Sequence, residues 1–319
     1  MTWKVFIDGH HGTTGLKIDE RLAGRDEIEV LSIAEAQRKD PDAKAAVINA
    51  ADIVFLCLPD AASRESVALL APGNTKTRFL DASTAHRTNP EWVYGLPELN
   101  PGQRDRVRHA RKVAIPGCHA SGFIMLMHPL VAAGIVPADF PLSCHSVTGY
   151  SGGGKEMIAA YEQPASLPDS MKSPRFYALG LTHKHLPEMK TVSGLTHAPL
   201  FTPIVGNFAQ GMVVAVPLLT RMLPKPVSPQ SLQAFFADYY RGEHFIRVMP
   251  LDTAAVLDAG ALPATACNDT NRAEIFVFGH ADQILLASRF DNLGKGASGA
   301  AIQCMNVMLG LDEARGLSV

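Results

Sequence analysis

The chain has 319 residues, of which 47% are hydrophobic and 19% charged. That is enough apolar material for about two packed domains and too little charge for a disordered chain. Lys and Arg number 29 against 31 Asp and Glu, a balance that gives no electrostatic basis for nucleic acid or an anionic membrane as partner. No run reaches the roughly 18–20 apolar residues of a membrane span; the longest, residues 123–136, is broken by His128, Pro129 and Gly134.

Residues 4–8 read as a buried strand and 13–23 as a helix, joined by Gly9-His10-His11-Gly12-Thr13-Thr14-Gly15. The chain enters this strand at once, so no signal peptide is expected. Small residues between a strand and a helix let the backbone approach a pyrophosphate, and the helix N-terminus offers N–H donors. The spacing is Gly-x-x-Gly-x-x-Gly, not the standard dinucleotide fingerprint; a tight turn with packing glycines is the plainer alternative. Residues 28–32 form a second predicted strand. Ser32 ends it where an acidic residue would grip a ribose hydroxyl, and Arg38 and Lys39 follow. This favours a 2′-phosphate, hence NADP, against the alternative of solvated loop charges.

Residues 53–58 read as a third strand, 62–71 as a helix, and 78–81 and 112–115 as further strands. The alternation predicts an α/β fold of Rossmann type, with a doubly wound parallel sheet. Asp81-Ala82-Ser83-Thr84-Ala85-His86-Arg87 closes one strand with hydroxyls and a guanidinium suited to a substrate anion.

Cys118 follows Pro116-Gly117 and opens a long apolar stretch. A thiol at a helix start meets unpaired N–H groups and the positive end of the dipole, which stabilise a thiolate. Cys57, Cys144 and Cys304 lie within apolar runs and read as core residues; Cys267 lies in a polar Ala266-Cys267-Asn268-Asp269 stretch and is assigned no specific role. Five scattered cysteines without a Cys-x-x-Cys pair argue against a disulfide framework or zinc knuckle and for a reducing cytoplasm.

Beyond Cys118 the runs lengthen and become β-branched: 142–148, 210–218, 273–279 and 283–291, the last two joined by a His280-Ala281-Asp282 turn. They predict a second α+β domain on a mostly antiparallel sheet. Gly149-Tyr150-Ser151-Gly152-Gly153-Gly154-Lys155 follows a strand. It reads either as an anion nest involving Gly149, Ser151 and Gly152 or as a flexible turn. In Thr182-His183-Lys184-His185-Leu186-Pro187-Glu188 the His-x-His spacing is compatible with metal, but no third ligand is nearby. An imidazole positioned beside the thiol is preferred, with surface His and Lys before a helix as the alternative.

Residues 228–240 predict a surface helix with Ser228 as N-cap and Pro229 in the first turn, and 297–308 a final helix. Gly294-Lys295-Gly296-Ala297-Ser298-Gly299 matches the dinucleotide fingerprint by letter, yet too little chain follows it for a βαβ unit. It could still present a helix N-terminus to a cofactor held elsewhere.

In order along the chain, residues 9–15, 82–87, Tyr94-Gly95-Leu96-Pro97-Glu98-Leu99, Pro116-Gly117-Cys118, Ser151-Gly152-Gly153-Gly154-Lys155, residues 183–188 and Asn292-Leu293-Gly294-Lys295-Gly296 resemble the short form of the N-acetyl-gamma-glutamyl-phosphate reductase family. The resemblance implies an aspartate-semialdehyde-dehydrogenase-like architecture. Residues 1–117 would bind NADP, 118–290 would carry catalysis and oligomerisation, and 291–319 would return to the NADP-binding domain. It implies NADPH as reductant, a small acyl phosphate as substrate, and a homodimer or homotetramer. Cys118 matches the nucleophile, His185 the acid–base histidine with His183 second, and Arg87 the anion clamp, aided by Ser83 and Thr84. The segment before Arg87 departs from the longer family form, which carries an acidic and aromatic pair there.

Expected cofactor contacts are Gly9, Gly12, Thr13, Thr14, Gly15, Ser32, Arg38 and Pro59, with Asn292, Gly294 and Lys295 from the late turn. No metal site is expected. Two rival readings are an aspartate-semialdehyde dehydrogenase and an NADP-binding protein that has lost catalysis.

Overall fold

The computed structural model describes residues 2–37, 40–163, 167–252, 254 and 256–319. The chain packs as two compact units. The first comprises residues 1–97, 101–116 and 297–317; the second comprises 98–100, 117–296 and 318–319. Residues 291–296, grouped with the returning helix in the sequence expectation, pack within the second unit, as do Glu98 to Asn100.

In the first unit, β1 (Trp3–Asp8), β2 (Ile28–Leu31), β3 (Ile53–Leu56), β4 (Arg78–Asp81), β5 (Val93–Tyr94) and β6 (Lys112–Ala114) form one sheet in the order β2-β1-β3-β4-β6-β5. Every pairing is parallel. Four helices lie between the strands: α1 (Thr13–Leu22), α2 (Pro41–Ala50), α3 (Asp60–Ala68) and α4 (Gln103–His109). Strand side chains alternate between faces, and a parallel sheet covered on both sides needs apolar residues on each. Val5, Ile7, Ile53, Phe55, Leu80 and Val113 accordingly meet Ile18 of α1 and Val107 of α4. Phe6, Val54, Leu56 and Phe79 turn the other way, against Ile48 of α2 and Trp92. Strand order reverses between β1 and β3, so the crevice beyond their carboxyl ends is the position where doubly wound sheets bind ligands.

The second unit opens with α5 (Cys118–Ala132) and continues through β7 (Ser143–Gly149), α6 (Gly154–Tyr161), α7 (Asp169–Lys172), β8 (Arg175–Phe176), α8 (Leu186–Ser193), β9 (Leu200–Gly206), β10 (Met212–Leu219), α9 (Pro229–Tyr239), β11 (Ile246–Val248), β12 (Ala273–Gly279) and β13 (Gln283–Phe290). Its sheet runs β11-β12-β13-β10-β7-β9-β8. The pairings are antiparallel except β11 with β12 and β7 with β9. α5 crosses this sheet closely because Gly122 has no side chain: an added Cβ would stand 2.5 Å from Val214 Cγ2. α9 starts as expected, with Ser228 and Ser231 forming a reciprocal capping box and Pro229 in the first turn.

After a short π-helical turn at Gly294–Ser298, α10 (Gly299–Leu309) returns to the first unit. Ile302, Met305 and Met308 join the core already holding Ile18 and Val107.

Candidate active site and nucleotide-binding turn

In the first unit, Gly9 has φ +91°, a conformation that glycine takes at no steric cost. An added Cβ there would lie 2.4 Å from the Cys57 carbonyl oxygen, and one on Gly15 would lie 2.5 Å from that of Gly9. The Gly12 N–H closes the turn on the Gly9 carbonyl at 2.9 Å. α1 then begins at Thr13 with no side-chain cap on its first-turn N–H groups, and the Thr13 hydroxyl is buried without a protein hydrogen bond. Thr14 lies in the same turn. Flattened backbone, uncapped donors and an orphaned hydroxyl fit the pyrophosphate of a dinucleotide. Ser32 is exposed just past β2, and Pro59 occupies the N-cap of α3 just past β3, at the same edge of the sheet. Arg38 and Lys39 lie outside the described residues.

The loop after β4 is built around carboxylates. Asp81 is fully buried and accepts hydrogen bonds from Ser63 Oγ at 3.0 Å, Ser83 Oγ at 2.8 Å and the Ser83 N–H at 2.9 Å. His86 Nδ1 lies 2.6 Å from it, with its ring stacked on Trp92. Thr84 donates to Asp60 through Oγ1 at 2.6 Å and through its N–H at 2.9 Å. Arg87 donates to the carbonyls of Ile115 at 2.9 Å and Ala82 at 3.0 Å. Ser83 and Thr84 spend their hydroxyls shaping this loop, and Arg87 ties it to the carboxyl end of β6. No signal in the sequence reading pointed to Asp81 or Asp60 as their acceptors.

In the second unit, Cys118 is the first residue of α5, after Gly117 at the N-cap, with no acidic residue in the first turn. A helix of 15 residues thus directs its positive end at the thiol. The other cysteines contrast with it. Burial, aided by Asp81 and Asp8, pushes Cys57 up to about 12; burial pushes Cys267 up to about 11 and raises Cys144 further.

Behind the thiol lies an aromatic and imidazole cluster. His119, Cys118's neighbour on α5, has its ring centroid 5.5 Å from His185 and 5.4 Å from His183. His183 and His185 stand edge to face at 4.7 Å, and the His185 N–H donates to His183 Nδ1 at 3.2 Å. The two predicted histidines are therefore brought together with the Cys118 segment. With perpendicular rings, and one Nδ1 taken by a backbone N–H, they do not form a two-pronged chelate. Among the described residues no group of three His, Cys, Asp or Glu could hold a metal ion.

Glu188 is buried and accepts a hydrogen bond from the Gly117 N–H at 3.2 Å, joining α8 to the start of α5. Tyr177 follows β8, and left-handed residues at Ala178 and Leu181 turn the chain after it, at a cost of order 1–3 kcal/mol each. His119, Ser146, Tyr177 and Glu188 were not identified as site residues from sequence. His119 adjoins Cys118 in sequence and Glu188 closes the His183–Glu188 segment, but their hydrogen bonds to Ser146, Tyr177 and Gly117 form only in the folded chain.

The late glycine turn runs close to Cys118. An added Cβ on Gly296 would lie 2.9 Å from Cys118 Cβ, and one on Gly294 would lie 2.2 Å from the Thr270 carbonyl oxygen. Lacking a side chain, Gly296 lets the backbone pass close to Cys118, and Gly294 lets it pass close to Thr270. Lys295 is completely buried, with its ammonium 2.7 Å from Glu98 Oε1 and near the face of Phe245. Asn292 is buried too. Its amide accepts from the Gly211 N–H at 2.8 Å and donates to Ser151 Oγ at 3.0 Å. That contact occupies Ser151 and fixes the loop carrying Gly152. Gly149 lies so close to Ala209 that a Cβ would stand 2.4 Å from its carbonyl oxygen, so its lack of a side chain serves strand packing.

A parallel sheet with a dinucleotide turn, and a second unit with a thiol at a helix start beside paired histidines, define a thiol-bearing nicotinamide-dependent class. Two family models match the chain: the NAD binding domain of semialdehyde dehydrogenase over residues 4–107 and its dimerisation domain over residues 118–292. The chain belongs to the semialdehyde dehydrogenase family. It is 47% identical to N-acetyl-gamma-glutamyl-phosphate reductase 2 of Nostoc sp., over 98% of this chain and 99% of that protein. It is 48% identical to N-acetyl-gamma-glutamyl-phosphate reductase of Brucella ovis, over 97% and 100%. Among solved structures, aspartate semialdehyde dehydrogenase II from Vibrio cholerae superposes with a TM-score of 0.72 at 16% identity, over 97% of this chain and 99% of that one, a likeness of fold alone. No helix among the described residues is long and apolar enough to cross a membrane.

Proposed function

We propose that the protein is an NADPH-dependent oxidoreductase that reduces N-acetyl-gamma-glutamyl phosphate to N-acetylglutamate semialdehyde and inorganic phosphate, a step of arginine biosynthesis. The observation that carries the reading is Cys118 at the head of α5 with the His183 and His185 rings clustered against its neighbour His119, in a chain 47% identical over nearly its whole length to a named reductase of this substrate.

Cys118 thiolate attacks the acyl phosphate carbonyl, and phosphate leaves from the tetrahedral adduct to give a thioester. NADPH, when bound, would supply the hydride that reduces this thioester. The resulting thiohemiacetal collapses to the semialdehyde and returns the thiolate. His185, with His183 behind it, is assigned the proton transfers. Gly9, Gly12, Thr13, Thr14 and Gly15 would hold the pyrophosphate. Ser32 in place of an acidic residue, followed by Arg38 and Lys39, supports NADP over NAD. Arg87, in the loop after β4, remains assigned to the substrate's anionic end.

A homodimer or homotetramer is supported by the match to a dimerisation domain and by exposed Phe176, Leu179, Leu181 and Leu200 around β8 and β9, since clustered exposed apolar side chains mark interaction surfaces. The reading carries a cytoplasmic location, where free thiols persist. The test is phosphate-dependent NADP reduction with N-acetylglutamate semialdehyde. Wild type should turn over and Cys118→Ser should lose at least about 10³-fold. Near-normal turnover by Cys118→Ser, or a preference for aspartate semialdehyde, would overturn the reading.

A further inference from the structure

His119 is buried at the second position of α5, and burial together with His183 and Lys184 lowers its pKa to about 3. It is therefore a neutral imidazole, which donates through one nitrogen and accepts through the other. Both nitrogens are engaged: Nδ1 with Ser146 Oγ at 2.8 Å and Nε2 with Tyr177 Oη at 2.8 Å. Two arrangements of the protons are open to this chain of three.

Ser146 decides between them. It is fully buried in β7, and His119 Nδ1 is its one side-chain hydrogen-bond partner among the described residues. Were Nδ1 protonated, it would donate to Ser146, and the serine's own hydrogen would be buried without an acceptor. Such an unmet donor is a substantial penalty. With Nδ1 accepting, Ser146 is satisfied, and the ring proton must sit on Nε2. Nε2–H then donates to Tyr177 Oη, so the phenolic hydrogen is not spent on His119. Tyr177 is only partly buried, which leaves that hydrogen an open side of the cluster. Burial and the charge of Cys118 raise the phenol's pKa, so it stays protonated at neutral pH.

We propose that Ser146 and His119 are positioning residues that fix the direction of the Tyr177 O–H, making Tyr177 a hydrogen-bond donor to the Cys118 reaction centre. The donor serves the thiolate and then the oxygen that becomes negative when the acyl carbon is attacked. The chemistry is that of an oxyanion donor. The inference rests on Cys118 being the nucleophile, as argued above.

The test combines a tautomer measurement with a mutant cycle on the full-length protein. Nitrogen-15 NMR of the histidine rings, with the His119 signal identified by its absence in His119→Gln, should report the Nε2–H tautomer in wild type. Tyr177→Phe should lower kcat on the order of 10–100-fold, with KM changing less than about 3-fold. His119→Met should lower kcat similarly, and His119→Gln, whose amide can donate near the Nε2 position, should recover part of the loss. The double variant Tyr177→Phe/His119→Met should be no worse than Tyr177→Phe alone.

An Nδ1–H tautomer, multiplicative losses in the double variant, or a Tyr177→Phe enzyme with unchanged kcat would each overturn the proposal. If His119→Met does not fold, the wild-type tautomer and Tyr177→Phe still decide it. Turnover surviving in Cys118→Ser would instead remove the underlying functional reading, leaving the tautomer result to stand by itself.

Discussion

Gly296→Ala is the smallest change that presses directly on the Cys118 side chain, at its Cβ. Gly296 does not occupy the left-handed region, so alanine meets no backbone strain there. The new methyl would lie 2.9 Å from Cys118 Cβ and 3.3 Å from both the Asp291 carbonyl oxygen and Phe290 Cε2. Carbon atoms rest at about 3.5–4.0 Å, so relief requires about 0.6–1.1 Å of movement. Neighbours hem in the methyl on the other two sides, which directs that movement into Cys118 or the turn beneath it. Overpacking of this kind costs about 1–3 kcal/mol of stability, whereas an ångström of misplacement at a reacting group costs about 10²-fold in turnover. Steady-state turnover with the semialdehyde, phosphate and NADP, measured beside the thermal midpoint, separates the two. Gly73→Ala, with nothing within 4 Å of the added methyl, is the control. A folded Gly296→Ala enzyme with kcat within about 3-fold of wild type would refute the reasoning that this turn seats the nucleophile.

Further outcomes follow from the same geometry. Gly9→Ala forces φ +91° on an alanine and a contact of 2.4 Å with the Cys57 carbonyl oxygen; NADPH affinity by fluorescence titration should fall more than about 10-fold. Lys295→Met removes the cation 2.7 Å from the buried Glu98 carboxylate and should destabilise by about 3–5 kcal/mol in denaturant unfolding, while Lys295→Met/Glu98→Leu should recover most of it. Burial, with His183 and Lys184, lowers the His119 pKa to about 3 in the folded chain, from an ordinary value of 6.5. Between those values the unfolded chain binds the extra proton, so the stability this residue supports is full above pH 6.5 and lost as pH falls toward 3. His119→Gln should flatten that part of the stability–pH curve.

The α/β alternation was legible because buried parallel strands are continuous apolar runs: β1, β3 and β4 appear within two residues of their expected limits. α2 was not identified, although Asp40 accepts from the Asp42 N–H as an N-cap and Pro41 follows it; its alternating Ala, Lys and Val offer only a weak apolar stripe. β9 was missed because Pro203 interrupts the pattern, and the strand exists through its parallel pairing with β7. Cys118 and the two histidines were legible from a helix start and a short motif. Tyr177, His119 and Ser146 were not, because their relation is carried by strand β7, helix α5 and the turn after β8 meeting in space. The partners of Lys295 and Asn292 were not legible for a related reason: a letter match to a nucleotide fingerprint does not reveal that Glu98 and Ser151 lie against those side chains.

The central claim is that Cys118 carries the acyl group. Wild-type enzyme mixed with N-acetyl-gamma-glutamyl phosphate in the absence of NADPH, quenched in acid and digested, should yield the peptide containing Cys118 bearing one N-acetylglutamyl group. Adding NADPH before the quench should discharge that group with stoichiometric formation of NADP and semialdehyde. Turnover without any acyl group on Cys118, or an acyl group that NADPH does not discharge, would contradict the account.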